Sequence, residues 1–142
     1  MADFLAPLCA PGLCAGRIGN FINQELWGRV SDSPWAMVFP AAGSLPRHPS
    51  QLYEAGLEGV VLFLLIWVYS ARPRSLGRVS GLFLVAYAVM RFAVELFRAP
   101  DAHLGTVALE WVTMGQLLSL PVALAGFWLL LRAQAKPDKP PR

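Results

Sequence analysis

WVTMGQLLSLPVALAGFWLLL, residues 111–131, carries no formal charge between Glu110 and Arg132. A helix needs about 20 apolar residues to cross a bilayer core, so this stretch predicts a membrane span. Pro121 inside it predicts a kink, which membrane helices tolerate. Three other stretches extend the pattern toward the N-terminus. Residues 51–71 centre on GVVLFLLIWVY and follow Pro49 and Ser50, good helix-start residues. Residues 79–97, VSGLFLVAYAVMRFAVELF, are long enough to span but hold Arg91 and Glu95. Residues 4–22 are apolar, rich in Pro and Gly, and end in polar residues. The expected fold class is all-α, a polytopic integral membrane bundle of three to four helices over residues 1–132. The tail AQAKPDKPPR, residues 133–142, is Pro- and Lys-rich and expected to be disordered.

Composition points the same way. Of 142 residues, 56% are hydrophobic and 15% charged, against roughly 25% charged in a soluble domain. A small soluble fold has a high surface-to-volume ratio and needs a polar skin. There are too few charges to make one, so lipid is the expected solvent. Mean hydropathy is +0.48. This excludes a disordered chain, a coiled coil and a nucleic-acid module. The net charge of +3 is spread between apolar stretches, not gathered on one basic face. Cys9 and Cys14 fit neither a disulfide scaffold nor a common zinc spacing, and read as small hydrophobes in a membrane segment. No metal or cofactor is expected. The first positive charge is Arg17, so the basic start of a cleavable signal sequence is missing.

Charge asymmetry orients the spans. Arg72, Arg74 and Arg78 lie between the second and third stretches, and Arg132, Lys136, Lys139 and Arg142 follow the last. The positive-inside rule places both groups in the cytoplasm. Residues 24–50 and the loop around Asp101 then face outward.

Several ionisable residues fall at membrane depth, where even lenient insertion scales charge about 2.5–3.5 kcal/mol each. Tyr87, Arg91, Glu95 and Arg98 share an arc of about 80° on one helix, and Gln51, Glu54 and Glu58 an arc of about 60° on another. Arg17 and Asn20 share a face at the outer end of the first stretch. Packing turns these stripes toward one another around a wet cavity open to the outside. Structural ion pairs account for any one pair. Three basic and three acidic residues at one depth point beyond that. The arginine fork matches phosphate oxygens and never deprotonates, which suits a phospholipid head group.

One string goes further. Gly16 to Arg29 reads GRIGNFINQELWGR, a polar, Gly-bearing break at the end of an apolar stretch. Such a break is allowed at membrane depth only facing protein or a water-filled cavity. The string closely resembles the signature of the bacterial prolipoprotein diacylglyceryl transferases. The resemblance continues through LPRHPSQLYE (residues 45–54), AYAVMRFAVELFRAPD (86–101) and WVTMGQLLSLP (111–121). It implies a multi-pass enzyme of the bacterial inner membrane, with its active site outside and its C-terminus in the cytoplasm. The implied reaction moves a diacylglyceryl group from phosphatidylglycerol to the lipobox cysteine thiol of a prolipoprotein signal peptide. By motif position, Arg17 and Gly28 correspond to phosphatidylglycerol-binding positions. Asn20, Glu25, Tyr87 and Arg91 correspond to catalytic ones, and Glu54 and Glu95 to supporting ones, to which Arg98 is added from the same helical stripe. His48 is read as a supporting or helix-start residue, with a direct proton shuttle as the alternative. His103 is given no role.

Members of that family are about twice as long, and their N-terminal half carries a His-Gly-Gly motif that this sequence lacks. The chain is therefore expected to be the C-terminal half, incomplete without a partner half. Two alternatives remain open at this point. One is a small proton-coupled transporter using Glu58. The other is a non-catalytic phospholipid-binding remnant.

Overall fold

The computed structural model describes residues 2–99 and 113–135. The loop around Asp101, His103, and the end of the tail with Lys136, Lys139 and Arg142 lie outside the described residues. Four long helices organise the described residues. Helix α1 runs Ala2–Ile22, α2 runs Ser50–Ser70, α3 runs Arg78–Glu95 and α4 runs Met114–Ala135. Between α1 and α2 lies an outer arm. In it, β1 (Met37–Val38) pairs antiparallel with β2 (Pro46–Arg47), across a short 3-10 turn at Pro40–Ala42.

Two of the helices, Ser50–Ser70 and Met114–Ala133, are long and apolar enough to cross a membrane. Helix α1 has the length but contains Pro7, Pro11 and a polar end, and α3 contains its charged stripe. Helix α4 continues through Pro121 to Ala135, so residues 133–135, expected in the disordered tail, are helical. Helix α3 ends at Glu95, two residues before the expected Phe97. There the outer arm takes over the backbone groups. Arg29 N–H donates to Phe97 O at 3.0 Å, and Gly28 bridges Arg98.

Helix α2 is not uniform. Ser50–Glu54 and Leu62–Ser70 are α-helical, but Ala55–Val61 is wound as a π-helix. The sequence explains the need. Glu54, Glu58, Leu62 and Ile66, four residues apart, are the row that α2 buries against α1 and α3, each at most 1% exposed. On a pure α-helix Glu54 and Ile66 would point about 120° apart. A π turn takes up about one extra residue, which leaves roughly 11 residues over three turns and realigns the row. Cys14 of α1 packs against the same segment at Gly59, where an added Cβ would lie 2.5 Å from Cys14 Cβ.

The apolar core is small. Ala6 and Ala10 of α1, Leu62 and Ile66 of α2 and Val79 of α3 pack together near one end of the bundle. Helices α3 and α4 make the most extensive contact. A Cβ at Gly81 would meet Gly126 O at 3.0 Å, and one at Gly126 would meet Gly81 O at 2.9 Å. Small residues of this kind let membrane helices approach closely. Asp3 ties α1 to the start of α3. Its carboxylate accepts from Gly77 N–H at 2.6 Å, Ser80 N–H at 2.8 Å and Ser80 Oγ at 2.6 Å. It thereby satisfies helix-start donors that have no partner within α3. Gly77 sits there with φ +92°, a left-handed conformation that favours glycine.

Candidate active site

The three polar stripes do meet. Arg17 Nε of α1 lies 2.5 Å from Glu54 Oε2 of α2, and its Nη2 lies 4.0 Å from Glu58 Oε2. Arg91 of α3 reaches the same two carboxylates, with Nη1 3.2 Å from Glu54 Oε2 and 3.5 Å from Glu58 Oε1. One helical turn on, Arg91 Nη2 is 3.4 Å from Glu95 Oε2, which also lies 4.0 Å from Arg98 Nη1. Three guanidinium groups thus balance three carboxylates. The carboxylates are almost fully enclosed, while the Arg17 side chain keeps 18% exposure and Arg91 12%. Desolvating a charge is costly unless it is paired, so each glutamate stays buried only while its arginines remain beside it.

Gly115 of α4 makes room for this cluster. A Cβ there would sit 2.6 Å from the Glu95 carboxylate. No stripe of charges signals such a residue, and the sequence alone gives no sign of it.

Beside the cluster, α1, α3 and α4 enclose a cavity of about 680 Å³, whose lining includes Gly16, Arg17, Asn20, Phe83 and Tyr87. The Phe83 and Tyr87 rings stack with centroids 6.2 Å apart. Arg17 is the hinge of the arrangement, because it faces the cavity and also pairs with Glu54. Arg91, Glu54, Glu58, Glu95 and Arg98 stand behind it in the ion-pair network. Cys9 also lines the cavity and is exposed, and its thiol donates to Leu5 O at 3.5 Å. Both cysteines are free.

Three of the expected site residues lie elsewhere, in the outer arm. Glu25 is exposed in the turn after α1. Its N–H donates to Asn20 O at 2.8 Å, and its carbonyl accepts from buried Gln51 Nε2 at 2.6 Å. Gln24 and Leu26 on either side have φ of 56° and 55°. Non-glycine residues seldom adopt that conformation, and it tends to cluster at functional sites. Gly28 is buried where the arm meets the end of α3. A Cβ there would lie 2.7 Å from both His48 Cβ and Phe97 O. His48 precedes α2, sharing a 3.0 Å hydrogen bond between Nδ1 and the Tyr53 hydroxyl, which also accepts from Trp35 Nε1 at 2.7 Å. Its ring packs edge-on against Phe97 at 5.4 Å. This group lines a second, apolar cavity of about 660 Å³ on another face of α2 and α3. Among the described residues, no group of three or more His, Cys, Asp or Glu is arranged to hold a metal ion.

The fold and the site define a class: a helical protein with two helices apolar enough to cross a membrane and a buried arginine–glutamate cluster at an open cavity. Residues 1–132 match the family model described as prolipoprotein diacylglyceryl transferase, and the chain belongs to that family. It is 61% identical over 129 residues to a phosphatidylglycerol–prolipoprotein diacylglyceryl transferase of Legionella pneumophila, covering 91% of this chain and 50% of the relative. The enzyme of the same name from Oleidesulfovibrio alaskensis is 62% identical over 130 residues, covering 92% and 49%. That from Pseudomonas paraeruginosa is 56% identical over all 142 residues and 53% of its own length. The chain spans about half the length of these relatives.

Proposed function

We propose that this chain supplies the phosphate-holding part of an enzyme that transfers a diacylglyceryl group from phosphatidylglycerol to the lipobox cysteine of a prolipoprotein. The observation that carries the reading is the meeting of Arg17, Asn20 and Tyr87 at one cavity, with Arg17 anchored by Glu54 to Arg91. In this reading residues 1–132 form one membrane domain of up to four spans in the bacterial inner membrane. The C-terminal end of α4 then faces the cytoplasm, and the cavity opens to the outer face.

The chemistry needs a cation at the phosphate. The cysteine thiolate attacks the glyceryl carbon that bears the phosphate, a C–S bond forms, and the C–O bond to phosphate breaks. Glycerol phosphate leaves with the electron pair and gains negative charge. A guanidinium held in place before that charge appears stabilises it without reorganising. Glu54 and Glu58 supply that hold, because they fix the Arg17 and Arg91 forks while leaving part of Arg17 open to the cavity. Tyr87 and Asn20 add hydrogen-bond donors to the same space. The thiol must also lose a proton, since an ordinary cysteine has a pKa near 8.5.

The test is reconstitution. The purified chain is placed in phosphatidylglycerol vesicles with a lipobox peptide, with and without a polypeptide corresponding to the relatives' N-terminal half, and the thioether product is measured by mass. Product that requires both halves, and disappears with Arg17→Ala, is the expected result. Product unaffected by Arg17→Ala overturns the site.

A further inference from the structure

The end of the bundle away from Arg17 holds another cavity. The start of α1, the end of α2 and the loop over residues 71–77 enclose about 570 Å³. Its apolar side is lined by Phe4, Pro7, Leu8 and Trp67, of which Phe4, Leu8 and Trp67 are exposed as a lipid-facing surface would be, and Arg72 and Arg74 stand among its lining residues. Arg74 is set in place, with Nε donating to Tyr69 O at 3.3 Å and its guanidinium 4.2 Å from the Tyr69 ring centroid. Arg72 is exposed. Among the described lining residues Asp3 is the one acid, and its carboxylate is engaged by Gly77 and Ser80 at the start of α3. Asp3 is thereby held at the foot of α3 and forms no ion pair with either arginine in the structure, so two positive charges stand against its one negative and the lining keeps a net positive charge.

An apolar side, a net positive charge and a tryptophan at the helix ends suit one class of ligand. An acyl chain fits the apolar side and a phosphate the two arginines, as in basic pockets between membrane helices at the cytoplasmic surface. Asp3 and Arg17 are separated by about 21 Å along α1 at 1.5 Å per residue, so one head group does not serve both cavities. We infer that the cavity framed by Arg72, Arg74 and Trp67 binds an anionic phospholipid of the leaflet opposite the proposed transfer site. This rests on the membrane placement proposed above, not on the transfer reaction.

The test is a titration of the detergent-purified full chain with phosphatidylglycerol, read by native mass spectrometry. Wild type should bind lipid in two classes. Arg72→Gln with Arg74→Gln should weaken one class about thirtyfold, taking roughly tenfold or less per arginine near a phosphate. Arg72→Lys with Arg74→Lys should retain most of it, and Arg17→Ala should leave it intact. Phosphatidylcholine should bind this class poorly, and millimolar inorganic phosphate should not displace the lipid. Unchanged binding in the Gln pair overturns the inference. So does equal binding of phosphatidylcholine, or displacement by phosphate. Loss of all lipid with Arg17→Ala alone also overturns it. If instead Arg17→Ala changes nothing while the Gln pair removes all lipid, the transfer site fails and this one stands. A photoactivatable phosphatidylglycerol should label the wild-type peptide around Trp67 to Arg74. Absence of that label overturns the inference without any variant.

Discussion

Helix α3 packs against two neighbours by opposite means. Toward α4 it approaches through Gly81 and Gly126, backbone against backbone, with no charge between them. Toward α1 and α2 it presents Arg91 to two enclosed glutamates and to a second arginine's partner. The first contact is inexpensive in lipid and needs only small side chains. The second commits six ionisable groups where each carries a desolvation penalty. A bundle needing only cohesion would use the first solution throughout. The charged contact is therefore where the proposed transfer site is set.

Breaking the charged side should have the largest effect. With an N-terminal half supplied, Arg17→Ala and Arg91→Ala should each lower transfer at least a hundredfold, as expected on losing a preorganised donor to a developing charge. Thioether yield measures this, and wild-type rates from either variant would reduce the cluster to packing. Glu54→Gln removes the carboxylate both arginines share. Because it strands buried charge, it should also destabilise the bundle by about 3–5 kcal/mol, read from thermal unfolding in detergent.

The uncharged side should respond in stability alone. Gly126→Leu forces the α3 and α4 backbones apart and should cost about 1–3 kcal/mol. The surviving folded fraction should keep its phosphatidylglycerol binding; losing that binding at full stability would contradict the division. Gly115→Ala sharpens the comparison, since α4 meets the charged cluster there. Displacing the Glu95 carboxylate from Arg91 should slow transfer about tenfold, the worth of one charged contact, with little change in melting temperature.

The smallest effect belongs to Asp3, just outside the stretch 4–22 expected to span. Burial pushes its carboxyl up, but hydrogen bonds from Ser80 and Gly77 outweigh this and hold it below its ordinary 3.8. A carboxyl lowered by folding adds stability above pH 3.8, and that stability is lost as pH falls through the folded value. Asp3→Ala should therefore cost about 1 kcal/mol near neutral pH, as for a lost helix cap. The difference from wild type should close below pH 3.8; a gap that stays constant to low pH would exclude the carboxylate as its source.

Much of this was legible in the sequence because helices are periodic. The stretches 4–22, 51–71, 79–97 and 111–131 lie within about four residues of the helix limits, and Arg17, Glu54, Glu58, Arg91 and Glu95 meet as their helical faces require. What stayed hidden depends on non-periodic contacts. Glu25 and Gly28 share a motif with Arg17 and Asn20, and His48 shares one with Glu54, yet the arm folds them onto the end of α3, where short bridges and tight backbone approach decide position. Asp3 caps a helix that begins more than seventy residues later, and Gly115 shows its purpose only once Glu95 is beside it.

The π-wound segment Ala55–Val61 has a consequence for how the chain tolerates insertions and deletions. It holds one residue more than an α-helix of the same height. Removing one residue between 55 and 61 therefore need not break α2, because the helix could relax to ordinary α winding with Glu54 and Ile66 still in phase. Adding one would leave a second surplus residue and swing Leu62 and Ile66 about 100° away from Ala6 and Ala10. A single-codon change in this segment is thus asymmetric: shortening restores regularity at the expense of where Glu58 sits, while lengthening unseats the apolar core.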